Sequence, residues 1–163
     1  MKKLKTNALR ILDQAGITYD TQEYSYDDNH LGGEHVLKQL DLDENAVYKT
    51  LILKGTNGYL VCCIPVLEEI NLKKLAKVSG NKSVEMVHQK DLLNLTGYIR
   101  GGCSPIGMKK IFPTYIQEDV ILQDKIALSA GKRGLQMIIH SQDLINITKA
   151  ICVNVIRWFD EKW

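Results

Sequence analysis

The chain predicts an α+β domain, with a mixed, mostly antiparallel sheet curled into a barrel-like core and helices around it. Three observations predict it. Two hairpin signals, Asn57-Gly58 and Gly131-Lys132-Arg133-Gly134, each sit between apolar, β-branched runs. Short capped helical patterns are interspersed with the strand runs instead of forming a separate block. No internal repeat, low-complexity tract or linker divides the 163 residues, so 1–163 read as one domain long enough to bury a core.

The elements follow in order. A helix is expected over about Thr6 to Ala15. Leu4, Ala8, Ile11, Leu12 and Ala15 share a face, and Gly16 fits just past its end. The polar, β-leaning stretch Ile17 to Tyr26 holds a strand, and Asp27 to Gly33 is loop. A second helix over Glu34 to Leu40 buries Val36, Leu37 and Leu40. Tyr48 to Lys54 and Tyr59 to Val66 form the clearest hairpin, ended by Pro65. Asn71 caps a helix over Leu72 to Val78, which Gly80 closes. Ser83 to Val87 is a short strand, and Asp91 to Leu95 a helical turn. Ile111 to Ile116 is a strand with Pro113 at an edge or bulge, and Val120 to Leu122 is another. Ile126 to Ala130 and Leu135 to Ile139 form the second hairpin. Ser141 caps a long terminal helix with Leu144, Ile147, Ile151, Val155 and Trp158 on one stripe.

Composition narrows the partners. Net charge is +2, from 21 basic and 19 acidic residues. A protein gripping long duplex is usually more basic, so DNA is not expected, whereas holding only the end of an RNA suits this balance. No apolar run is long enough to span a membrane, and the basic start Met1 to Thr6 lacks a following apolar signal core. The expectation is a cytoplasmic protein with no membrane partner. Cys62, Cys63, Cys103 and Cys152 contain no CxxC spacing and read as reduced thiols. His30, His35, His88 and His140 show no ligand spacing, so neither a metal nor a cofactor is expected.

The densest chemical signal is the loop Gly97 to Gly107, with four glycines and one proline in eleven residues and almost no charge. Glycines let a ligand approach the main chain, and proline stiffens the turn. Such a loop either presents backbone N–H groups or is a tight structural turn. Along the first hairpin, alternation puts Lys49 with Leu51 on one face and Tyr48 with Thr50 on the other. Lys49 is then a solvated strand lysine, or an ammonium at a cavity mouth. Lys132 and Arg133 are an exposed charged turn or a phosphate contact. Lys73, Lys74 and Lys77 form a solvated helix face or meet an RNA stem.

Together, Val47-Tyr48-Lys49-Thr50-Leu51, Leu72-Lys73-Lys74, Gly97-Tyr98, Gly101-Gly102-Cys103-Ser104-Pro105 and Gly131-Lys132-Arg133-Gly134 resemble the YbaK/EbsC family. That family is related to the editing domain inserted in bacterial prolyl-tRNA synthetases, and the similarity covers nearly the whole length. The resemblance implies a trans-editing aminoacyl-tRNA deacylase removing cysteine from tRNA(Pro), with Cys-tRNA(Cys) as a less selective target. It gives Lys49 and Gly101 catalytic roles. It gives Tyr24 (or its neighbour Tyr26), Gly102, Cys103, Ser104, Pro105 and Gln136 substrate-binding roles, with Lys132 and Arg133 on tRNA. Its partners would be the aminoacyl-tRNA 3′ end and prolyl-tRNA synthetase. The substrate thiol itself would attack the ester and leave as a cyclic thiolactone, a lyase-type release. Simple hydrolysis is the fallback. Cys103 stands where the family usually has an aliphatic or small residue, and no histidine partner marks it as a nucleophile. Gln136 stands where the best-known members carry an acidic residue, which opens amino-acid specificity. Editing of another small amino acid such as alanine, or an inactive tRNA-binding module, are the competing readings.

Overall fold

The computed structural model describes residues 5–27, 29 and 32–157. Leu4, His30 and Trp158, used in the expectations above, lie outside them. In chain order the elements are α1 (Asn7–Gln14), β1 (Tyr19–Glu23), α2 (Gly33–Gln39), a 3-10 turn (Glu44–Ala46), β2 (Tyr48–Gly55) and β3 (Gly58–Pro65). Then come α3 (Leu72–Ser79), β4 (Val84–Met86), α4 (Gln89–Thr96), β5 (Thr114–Gln117) and a second 3-10 segment (Glu118–Leu122). The chain continues with β6 (Lys125–Ser129), β7 (Leu135–His140), α5 (Ser141–Thr148) and β8 (Ile151–Val153). No helix of the described residues is long and apolar enough to cross a membrane.

The α+β class holds, with strands and helices interspersed, but the barrel does not close. The strands form a three-stranded antiparallel sheet, β1-β7-β6, and a five-stranded mixed sheet, β4-β2-β3-β5-β8. The two meet through one parallel bridge, Val47 to Ala127, among the described residues. Closure needs every edge strand paired across a continuous ladder. Here the five-stranded sheet ends in β4 and β8, each three residues long, and neither pairs with the other sheet.

The apolar core sits between the sheets. Tyr48, Ile52, Val61 and Cys63 from β2 and β3 pack against Ile126, Leu128, Met137 and Ile139 from β6 and β7, with Leu9 and Leu12 of α1 alongside. The other face of β2 and β3, through Leu53, Leu60, Cys62 and Ile64, packs on Leu75 and Ala76 of α3. Both faces of the hairpin are covered, which is why its sequence reads as a nearly continuous apolar run.

Local signals explain most boundaries. Thr6 caps α1 by accepting from Leu9 N–H at 3.2 Å. Its hydroxyl also donates to Ala130 O at 2.6 Å, which ties α1 to the end of the second hairpin. Asn71 caps α3 by accepting from Lys74 N–H, and Gly80 closes it at φ +74°. Four expectations fail. The β2–β3 turn is Thr56-Asn57, and Gly58 already opens β3 opposite Gly55. Val120 to Leu122 lies in a 3-10 segment, where the apolar triplet mimicked a strand. The long terminal helix stops at Thr148, because Lys149 turns to the left-handed region at φ +54°. Ile151 and Cys152 then extend into β8 beside β5. Ser141 is the first residue of α5, and its hydroxyl donates to Gln123 O without capping the helix.

Candidate active site

The start of β2, the start of α2, the end of β6, β7 and the glycine loop enclose a half-open cleft of about 190 Å³. Lys49, Gly101, Cys103 and Gln136 line it together. These residues are far apart in sequence, and their meeting is the central geometric result.

Lys49 sits opposite Ile64 in the β2–β3 register. Val36, Val47 and Val66 also line the cleft and supply its apolar wall. Burial there holds the Lys49 ammonium below the ordinary lysine value, and the Glu69 and Glu68 carboxylates pull it partly back. It makes no hydrogen bond or ion pair among the described residues.

The loop is held from several sides. Gly97 ends α4 at φ +83°. Tyr98 is buried, and its hydroxyl donates to Ile106 O at 2.6 Å. Gly101 adopts φ +84°, a conformation side chains resist. A Cβ on Gly102 would meet the Lys132–Arg133 backbone at 3.0 Å, so the second hairpin's tip seats directly on the loop. Arg133 Nε donates to Arg100 O at 2.7 Å. The intervening peptide is planar and trans, so this bond also aims the Gly101 N–H away from Arg133. The Gly102 N–H is spent on Ile99 O. The Gly101 and Cys103 N–H groups bond to nothing among the described residues, and both residues line the cleft.

The remaining expected site residues divide. Gln136 is 5% exposed, and its Oε1 is buried with no partner among the described residues. Tyr24 donates to Gly101 O at 3.4 Å and packs edge-on to Tyr26, so it braces the loop from outside the lining. Ser104 is fully buried and accepts from Ile106 N–H, and Pro105 faces a different groove beside α1. Neither lines the cleft. Lys132 borders a separate surface depression with Lys5 and Tyr19. Burial pushes the Cys103 thiol up to about 12, the neighbouring Cys63 adding to it and a hydrogen bond with Thr96 opposing it. A thiol so protonated is a poor nucleophile.

Sequence reasoning missed Ser129, Thr50 and Val66 in the lining. Ser129 was within reach, since it pairs with Gln136 across the hairpin that the turn signal predicts.

A family model described as the aminoacyl-tRNA editing domain matches residues 32–147. The chain is 47% identical over 145 residues, 88% of each chain, to an Enterococcus faecalis protein named "Putative Cys-tRNA(Pro)/Cys-tRNA(Cys) deacylase EbsC". It is 29% identical over 91 residues to the proline–tRNA ligase of Thermosipho africanus, matching 56% of this chain and 16% of the ligase. A solved structure described as a "putative trans-editing enzyme for prolyl tRNA synthetase" superposes with a TM-score of 0.80 at 17% identity, covering 96% of this chain and 100% of that one.

Proposed function

This chain belongs to the aminoacyl-tRNA editing domain family, and from that premise we propose that it releases cysteine from mischarged tRNA(Pro), and less selectively from Cys-tRNA(Cys). One observation carries the reading. Lys49, Gly101 and Cys103 line the same small cleft, and the backbone N–H groups of the latter two bond to nothing among the described residues, which suits a carbonyl that gains negative charge during cleavage. Residues 1–163 act in this reading as one editing unit in the cytoplasm, where aminoacyl-tRNA meets prolyl-tRNA synthetase.

The chemistry follows from what the cleft offers. With Cys103 held protonated, the substrate supplies the nucleophile. Its thiol gives up a proton, and the sulfur attacks its own ester carbon. The carbonyl electrons move to oxygen, facing the Gly101 and Cys103 amides and the Lys49 ammonium. Collapse breaks the bond to the ribose oxygen, which takes up the proton, and cysteine leaves as a cyclic thiolactone. An attack within one bound molecule gains an effective concentration on the order of 10⁵ M or more when well oriented. Gln136 contacts the amino-acid part, and its neutral amide leaves alanine as the second substrate to test.

The test is deacylation of cysteinyl-, alanyl- and seryl-tRNA(Pro). Cysteinyl-tRNA is expected to be cleaved fastest, and Lys49→Ala to abolish the cleavage. Seryl-tRNA cleaved as fast as cysteinyl-tRNA would defeat the thiol mechanism. Cleavage of none of the three would defeat the deacylase reading.

A further inference from the structure

A groove of about 290 Å³ beside α1 shares no lining residue with the cleft. Its apolar floor comes from Ile11 of α1, Val61 of β3, Ile106 and Phe112 between α4 and β5, and Ile147 of α5. Ile111, also in the lining, is fully exposed, more so than any other large apolar side chain of the described residues. Phe112 lies 5.8 Å from the Tyr59 ring, and that ring lies 6.0 Å from the Lys54 ammonium. Lys110 and Lys149 are the charged residues of the lining, and no carboxylate is among the described residues there. A lone exposed isoleucine is ordinary, whereas one that continues into an apolar groove marks a contact surface.

We propose that this groove docks an acidic amphipathic helix of a partner protein, with apolar side chains on the floor and carboxylates on the lysine rim. Charge is the first reason. Lys110 and Lys149 border the floor, and Lys54 stands beyond the aromatic pair. An apolar stripe flanked by Asp and Glu complements both features. A second copy of this chain docked symmetrically would set lysine against lysine. RNA phosphates would meet the lysines and leave the floor in water. Strand pairing is the second reason. The Val61 N–H is spent on Pro113 O, β3 lies between β2 and β5, and β5 lies between β3 and β8. Neither strand has a free edge for an extended peptide to join, which leaves a helix laid into the groove. Size is the third. The volume falls below the roughly 300–1,000 Å³ of small-molecule pockets and suits the few side chains that one helix face presents. The exposed pair Ile121 and Leu122 lies beside Asp124 and Asp143 instead, so the same helix would be repelled there. A partner seated in the groove leaves the cleft open, and the inference stands apart from the deacylase reading.

The deciding experiment is a methyl NMR titration of the whole chain with a capped synthetic helix of about 15 residues, long enough to hold its fold. The peptide carries leucines along one face and glutamates on its flanks. It is expected to shift the Ile11, Ile106, Met108, Ile111 and Ile147 methyls. A peptide of the same composition with its leucines scattered, and one with lysine for every glutamate, are expected to bind at least about tenfold more weakly. Ile111→Ser should weaken the acidic peptide by at least about tenfold, the worth of one buried aliphatic side chain. Lys110→Glu combined with Lys149→Glu should weaken it by about tenfold and let the lysine peptide bind instead. No shift at millimolar peptide, shifts at Ile121 in place of the groove, or equal binding of the scattered peptide overturns the proposal. So does movement of the same methyls when the chain alone is concentrated, which would mark a self-contact. Movement with phosphatidylglycerol vesicles or an RNA stem-loop but not with the peptide overturns it as well. A chain that docks the peptide and deacylates no tRNA keeps this inference and loses the deacylase reading.

Discussion

A lysine half-withdrawn from water costs stability, and Lys49 carries that cost at the one place where an ammonium serves the proposed chemistry. Burial lowers its folded value below the ordinary 10.5, with Glu69 and Glu68 acting the other way. Between the lowered folded value and the ordinary unfolded one, the unfolded chain binds more protons. Stability therefore climbs with pH across that window, and below it the charge penalty is present in full. Lys49→Met should remove that climb from a plot of Tm against pH and leave Tm at neutral pH equal or higher. Deacylation should fall about 100-fold or more, the scale of losing one donor to an oxyanion. The alkaline limb of wild-type activity should fall below pH 10.5, because the ammonium loses its proton earlier than a free lysine. Cys103 gives the opposite case. Its thiol, pushed up to about 12, stays protonated at neutral pH, so Cys103→Ala should keep single-turnover cleavage within about tenfold. A loss of roughly 10⁴-fold, typical of removing a nucleophile, would reinstate that role.

At the scale of elements, the site is two segments pressed together. The glycine loop supplies amides, and the tip of the β6–β7 hairpin holds them in place. The tip reaches the loop through the Gly102 contact and through the Arg133 bond to Arg100 O. Thr6 and Asn7 at the head of α1 fasten the same assembly, bonding Ala130 O and Gly107 O. The two tip charges therefore have different expected effects. Lys132→Ala should reduce the slope of tRNA binding against salt by about one, with kcat nearly unchanged. Arg133→Ala should lower kcat by roughly tenfold with little change in KM, because the Gly101 N–H loses its aim. Arg133→Lys, which retains a donor and a charge, should recover part of the loss. Equal salt slopes and equal kcat in the two alanine variants would refute this division.

At the scale of the molecule, β2 and β3 serve two cores at once, and only one of them meets the site. Leu75 is fully buried on the α3 side, away from the cleft. Leu75→Ala should cost about 2–5 kcal/mol in denaturant unfolding and leave kcat essentially intact. A single transition would show that both cores melt together, as the shared hairpin predicts. The chain order alone determined what is local: the α+β class, both hairpins, the Asn71 cap, the Gly80 stop, and the glycine loop as the chemical signal. Each depends on propensities that reach a few residues along the chain. It misjudged the end of α5, since Ile147, Ile151 and Val155 keep a helical spacing while Lys149 leaves the helix and β8 gains a partner in β5. Only the tertiary structure decided that the sheet stays open, that Ser104 and Pro105 turn away from the cleft, and that Lys49, Gly101 and Gln136 meet across it. Those outcomes depend on pairings between residues tens of positions apart, and short-range periodicity carries no record of which distant strand an edge will find.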